Sequence, residues 1–130
     1  MPNIEKYAAK SVYDPPMYAQ AVKVSRAETI LYLAGQVDYD PKGGCAHPGD
    51  FKAQARACLE AVKAQVEAGG GTLANVVKVN TYVTDIRYRA DYGPIRTEFF
   101  GPKMPASTMV AVAALAAPEF LIEIEAVAVL

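Results

Sequence analysis

Two hydrophobic periods divide this chain. Between residues 50 and 68 the apolar positions Phe51, Ala55, Cys58, Leu59, Val62 and Val66 recur three and four apart, the spacing that lays one apolar stripe along an α-helix. Asp50 stands where an N-cap carboxylate accepts from free backbone N–H groups, and Gly69-Gly70-Gly71 follows where the chain leaves a helix through a left-handed residue. Elsewhere the period is two. Residues 76–83, β-branched and aromatic, read as a strand; residues 21–25 alternate, and residues 30–34 form an apolar run suited to a mostly buried strand. Glu28-Thr29 reads as a turn that makes the last two runs a hairpin. Gly35 marks a bulge or a close backbone approach as Gly35-Gln36-Val37-Asp38 extends the sheet. Asp40-Pro41-Lys42-Gly43-Gly44 is a turn by its residue types. A second helix covers residues 91–100, stopped by Gly101-Pro102, and two further strands are expected at about 107–113 and 121–129. Residues 1–20, with Pro2, Pro15 and Pro16, read as an extended arm.

The order β-β-β-α-β-α-β-β puts two helices on one face of a single sheet, a two-layer α+β domain. Both strand faces carry apolar groups. In one strand Val76, Lys78, Asn80 and Tyr82 oppose Val77, Val79, Thr81 and Val83; in the last, Ile122, Ile124, Ala126 and Ala128 oppose Leu121, Glu123, Glu125, Val127 and Val129. Helices cover only one of these faces, so the other is expected to be covered by copies of the same chain in a closed ring. At 130 residues the whole chain, 1–130, fits one domain, and 52% hydrophobic with 21% charged residues suits a packed core.

Charge and special residues narrow the function classes. Lys plus Arg number 13 against 14 Asp plus Glu, scattered without a basic stripe, so no nucleic-acid partner is expected. No apolar stretch reaches 18 residues and the N-terminus has no signal pattern, so no membrane is expected either. Cys45 and Cys58 do not make a disulfide framework, and a cytoplasmic setting fits them. The one histidine, His47, shares a Gly-rich segment with Cys45; this reads as a flexible surface loop and not as a metal site, which wants four convergent ligands. Gly69-Gly70-Gly71 follows a helix instead of preceding one, which disfavours phosphate cradling, and no cofactor is implied.

Glu123 and Glu125, two apart on a strand, point the same way about 7 Å apart, the arrangement of an acid/base pair. They lie in Ile122-Glu123-Ile124-Glu125-Ala126. With Pro16-Met17-Tyr18-Ala19-Gln20, Ala34-Gly35-Gln36-Val37, Tyr82-Val83-Thr84-Asp85, Phe99-Phe100 and Pro105-Ala106-Ser107, this string resembles the RidA (YjgF/YER057c/UK114) family of enamine and imine deaminases over about residues 12–130. The resemblance implies a chorismate-mutase-like α+β fold closing on a hairpin, a homotrimer, and small-molecule pockets in clefts between subunits. Typical members carry an arginine after Pro-Ala that pairs with the carboxylate of a 2-imino acid, and a glutamate of the Ile-Glu-Ile-Glu strand positions the attacking water. By that resemblance Glu125 is the water-orienting group, Tyr18 the pocket tyrosine, Gly35 a backbone contact, and Met109 stands where cysteine is usual.

The departures shape the functional expectation. Ser107 occupies the arginine's position, Gly93 stands where asparagine is frequent, and Ala34 replaces a serine. Arg96 falls near the cleft by the same alignment, with Arg87 and Arg89 before it, as a candidate replacement cation. The expected function is that of a divergent hydrolase acting on an enamine, imine or related small molecule bound by Tyr18, Gly35, Gly93, Arg96, Ser107 and Met109. The alternative is a non-catalytic, small-ligand-binding or chaperone-like trimer. Ribonuclease activity, attributed to some relatives, is disfavoured by the acidic balance and the lack of a basic or aromatic track.

Overall fold

The computed structural model covers residues 1–130. In chain order its elements are β1 (Asn3–Tyr7), β2 (Tyr18–Ala19), β3 (Ala21–Ser25), β4 (Ile30–Gln36), α1 (Phe51–Ala68), β5 (Val76–Val83), α2 (Arg89–Phe100), β6 (Met104–Ala111) and β7 (Ile122–Val129). Helix α1 starts where expected: the Asp50 carboxylate accepts from the Ala53 N–H at 3.0 Å. It ends in the glycine run, Gly70 taking the positive φ of 97°. Helix α2 begins two residues before the expected Asp91, after a 3₁₀ turn at Ile86–Tyr88 that the Asp85 side chain caps through the Arg87 N–H.

Five strands form one mixed sheet in the order β2-β6-β5-β7-β4, with β5 and β6 parallel and β7 antiparallel to both β5 and β4. The parallel pair is joined by α2, the crossover that parallel neighbours require. On the helix-covered face Val79, Val83, Ile122, Ile124, Ala126 and Ala128 join Ala55, Cys58, Leu59, Val62 and Val66 of α1 in one core cluster that also takes Tyr92 and Ile95 of α2. The two-layer α+β arrangement read from the sequence is therefore the observed one.

Five local expectations are corrected. The arm is not featureless: β1 pairs antiparallel with β3, from Asn3 against Ser25 to Tyr7 against Ala21. Strands β3 and β4 consequently form no hairpin. Residues 28 and 29 turn instead onto the chain end, where the N–H groups of Glu28 and Thr29 both donate to the Leu130 carbonyl, and β4 pairs with β7. The last two strands are not a hairpin either, because β5 lies between β6 and β7. Finally, a register shift between Val76 and Lys78 moves Val76, 2% exposed, onto the helix face, where strict alternation had placed it with Lys78. Strand β6 starts at Met104, three residues earlier than expected.

Candidate functional site

The uncovered sheet face carries the polar constellation. Alternation along β5 turns Lys78, Asn80 and Tyr82 to this face, where their neighbours are Val127, Glu125 and Glu123 on β7 and Ala106, Thr108 and Val110 on β6. Tyr82 OH donates to Glu125 Oε1 at 2.6 Å and Asn80 Nδ2 donates to the same oxygen at 2.9 Å. These bonds, Tyr82 first and Asn80 second, hold the Glu125 carboxyl below the usual carboxylate range, while the bond to Glu125 pushes the Tyr82 phenol up. A cavity of about 210 Å³ opens on this face between β4 and β7, lined by Tyr32, Lys78, Asn80, Glu125 and Val127 among others. Around it the surface is apolar, with Ile30, Tyr32 and Val110 respectively 51%, 78% and 41% exposed.

Glu123 is differently placed. Its side chain forms no hydrogen bond or ion pair within the chain, its strand neighbour being Tyr82. Its carboxylate lies over Gly35, at the irregular end of β4 where the pairing slips between Leu33 and Gln36. A Cβ built on Gly35 would collide with the Glu123 carboxylate, so the glycine makes room for that group. Gly35→Ala is accordingly expected to displace Glu123 while leaving the core intact, and a melting temperature within a few degrees of the parent beside an altered carboxyl NMR resonance for Glu123 will check it.

Glu125 also supplies a pH prediction. Its carboxyl is depressed in the folded chain, so its contribution to stability is fully present above the ordinary glutamate pKa, about 4.3, and is lost as pH falls through the lower folded value. Glu125→Gln should therefore flatten the acid limb of stability against pH, and urea melts from pH 6 to pH 3 measure it.

The other expected site residues lie elsewhere. Ser107 pairs with Val79 and Met109 with Thr81, which puts both on the helix-covered face of β6, with Met109 packed against the core. Gly93 and Arg96 are on α2, and a Cβ at Gly93 would lie 3.7 Å from Arg96 Nη2. Tyr18 is on the β2 edge of the sheet, against the core, and Gly35 on the opposite, β4, edge. One copy therefore gathers Gly93, Arg96, Ser107 and Met109 on its helix side and Gly35, Glu123 and Glu125 on the other.

Sequence reasoning missed the clamp on Glu125; its signal was the polar alternation Lys78, Asn80, Tyr82 inside an otherwise β-branched run. It also missed a buried network under the His47 loop. Asp38, 2% exposed, accepts from the His47 backbone N–H at 2.8 Å and lies 3.0 Å from His47 Nδ1. Gln54, fully buried on α1, donates to the carbonyls of Glu119 and His47 at 2.9 and 3.1 Å and accepts from the Leu121 N–H at 2.8 Å. The loop expected to be flexible is thus anchored at both ends. No group of three or more His, Cys, Asp or Glu side chains is placed to hold a metal ion.

Comparison with known proteins decides the family. The family model described as Endoribonuclease L-PSP matches residues 12–130. A RutC family protein of Pyrococcus horikoshii is 42% identical over 111 residues, covering 85% of each chain. The solved structure of the Rid-family protein YyfB of Yersinia pestis superposes with a TM-score of 0.85 at 31% identity, covering 98% of this chain and 99% of that one. The chain belongs to the RidA family. A solved RidA from an Antarctic Psychrobacter is also similar, with 35% identity, a TM-score of 0.71, and 95% and 92% of the two chains covered. As a RidA-family chain it departs from the family's usual Pro-Ala-Arg string at Ser107, on the helix side of β6. No helix is long and apolar enough to cross a membrane.

Proposed function

We propose that this RidA-family protein is a cytoplasmic hydrolase of an enamine, imine or related small molecule, working in clefts between the subunits of a homotrimer. The helix-side group Gly93, Arg96, Ser107 and Met109 of one copy would face the Glu123 and Gly35 edge of the next, with Tyr18 at the rim. The observation that carries this reading is the unequal pair of carboxylates: Glu125 is engaged by Tyr82 and Asn80, whereas Glu123, beside it, has free oxygens. A C=N carbon is already electrophilic, so its hydrolysis needs chiefly an oriented water and a group to take the proton. A carboxylate with both oxygens unengaged serves that role better than one whose Oε1 is already held by two donors. The sequence pointed to Glu125; on this geometry we assign water orientation to Glu123, and to Glu125 the fixing of Tyr82 and Asn80 beside it. The exposed Ile30, Tyr32 and Val110 support burial of this face against other copies.

The test is ammonia release from 2-iminobutanoate, generated in place by an amino-acid oxidase, with the oligomer's mass measured in parallel. Rate above the uncatalysed background from a trimer supports the reading; background rate from an intact trimer removes it. In that second case Ser107, which supplies no charge where the family's arginine stands, favours the other reading, a trimer that binds a neutral ligand without turnover.

A further inference from the structure

A second cavity, of about 420 Å³, lies where α2 ends and β5 and β6 begin, and it shares no lining residue with the cavity beside Glu125. Nor does it include Tyr18, Gly35, Gly93, Arg96, Ser107 or Met109. Its walls are apolar, with Leu73, Val76, Phe99, Phe100 and Pro105 among them, and the one polar side chain that reaches it is Lys6 of β1. Gly101, at a φ of 77° and with open space where a Cβ would stand, leaves one side unobstructed. The pairing of β1 with β3 carries Lys6 to this place, opposite Val22, and there Lys6 Nζ donates to the Lys103 carbonyl at 3.0 Å.

The amine is held without being neutralised. Lys103 pairs with Asp14 at 3.0 Å, whereas Lys6 has no carboxylate partner and its one bond goes to a backbone carbonyl. Partial burial pushes the Lys6 ammonium pKa down, and the charge of Lys103 nearby adds to this. Both effects favour the neutral amine. A neutral amine still donates to the Lys103 carbonyl and keeps its lone pair free, so the bond that places the nitrogen survives loss of the proton. Lys6 as a whole is exposed, so its nitrogen is reached from solvent as well as from the cavity. An amine beside apolar walls and a second cation is the arrangement in which lysines attack carbonyl carbons.

We propose that Lys6 is a covalent capture site for apolar aldehydes, whose tails lie in the cavity against Leu73, Phe99 and Phe100. The Nζ lone pair forms the bond to the aldehyde carbon while the C=O π pair moves to oxygen, which takes up a proton as nitrogen gives one up. Loss of one water from this carbinolamine leaves an imine between Lys6 and the aldehyde carbon. No oxidant or reductant takes part, and addition of water reverses the capture. The apolar walls supply selectivity, because each methylene moved from water onto them favours the adduct by about fourfold. The site is independent of the inter-subunit cleft and of the hydrolase reading.

The experiment traps the imine. The intact protein is treated with limiting hexanal or acetaldehyde in the presence of sodium cyanoborohydride, which reduces the imine to a stable secondary amine, and the modified lysines are mapped by peptide mass spectrometry. Lys6 should take up hexanal at least about tenfold faster than Lys10, and its preference for hexanal over acetaldehyde should exceed that of free Nα-acetyl-lysine by at least about tenfold. Lys6→Arg, which still donates to the Lys103 carbonyl, should abolish the fast labelling and leave that of Lys10 and the melting temperature unchanged. Leu73→Asn should reduce hexanal labelling of Lys6 while sparing its acetaldehyde labelling, a split that a merely structural role of Leu73 would not produce. Either of two results overturns the proposal: labelling of Lys6 no faster than that of Lys10, or a hexanal preference at Lys6 no greater than that of the free amino acid.

Discussion

Glu123→Gln is expected to lower turnover of an imine substrate by about a hundredfold or more while leaving the fold and assembly intact, since removal of a positioned proton acceptor costs roughly 10²–10⁴ in rate. The change is nearly isosteric, and Glu123 makes no bond within its own chain whose loss would disturb β7. Glu125→Gln is the informative comparison. Its carboxylate accepts from both Tyr82 and Asn80, and glutamine keeps an acceptor oxygen for one arrangement of those donors, so a smaller effect, accompanied by the change in acid stability described above, is expected. A full loss from Glu125→Gln with an active Glu123→Gln enzyme would reverse the two roles. The measurement is kcat and KM for each variant, with mass and melting temperature alongside.

The largest effect on stability is expected at Gln54. Gln54→Leu keeps the volume but leaves the Leu121 N–H and the carbonyls of Glu119 and His47 without their present partner. The Leu121 N–H loses its acceptor outright, whereas the His47 carbonyl keeps the Asp50 N–H and the Glu119 carbonyl keeps the Cys45 thiol, so the cost is about 2–3 kcal/mol, enough to lower the melting temperature by roughly 5–10 °C in a chain of this size. The damage should be local in origin. Gln54 joins α1 to the entry of β7 and to the His47 loop, so hydrogen exchange should rise first around residues 45–50 and 119–121. A drop of only one or two degrees would mean that these groups find other partners.

Gln54 also shows where the amino-acid pattern stops being informative. On α1 it lies next to Ala55 on the buried stripe, yet a glutamine in a helical repeat looks like one more surface residue until the distant backbone groups at 119 and 121 are seen to come to it. The apolar members of the same stripe were legible because burial follows the helical period directly. The capped start at Asp50, the left-handed exit at Gly70, the turn around Asp40 and the close approach at Gly35 were legible for a similar reason: each is a local conformational demand that one residue type answers.

Strand pairing was not local and was misjudged for that reason. The runs at 21–25 and 30–34 each read correctly as strands, but their partners are Asn3–Tyr7 and Ile122–Val129, and nothing in either run names them. The same holds for β6 and β7, adjacent in the chain and separated in the sheet by β5. By itself, then, the sequence determined the element types, the α+β class, the family and a carboxylate pair on one strand face. The tertiary structure decided which strands adjoin, that Glu125 is engaged while Glu123 is free, and that Lys6 of the N-terminal arm meets an apolar cavity built by residues far along the chain. The physical reason is that periodicity and turn chemistry are written in neighbouring residues, whereas hydrogen-bond partners and uncompensated charges depend on groups that only folding brings together.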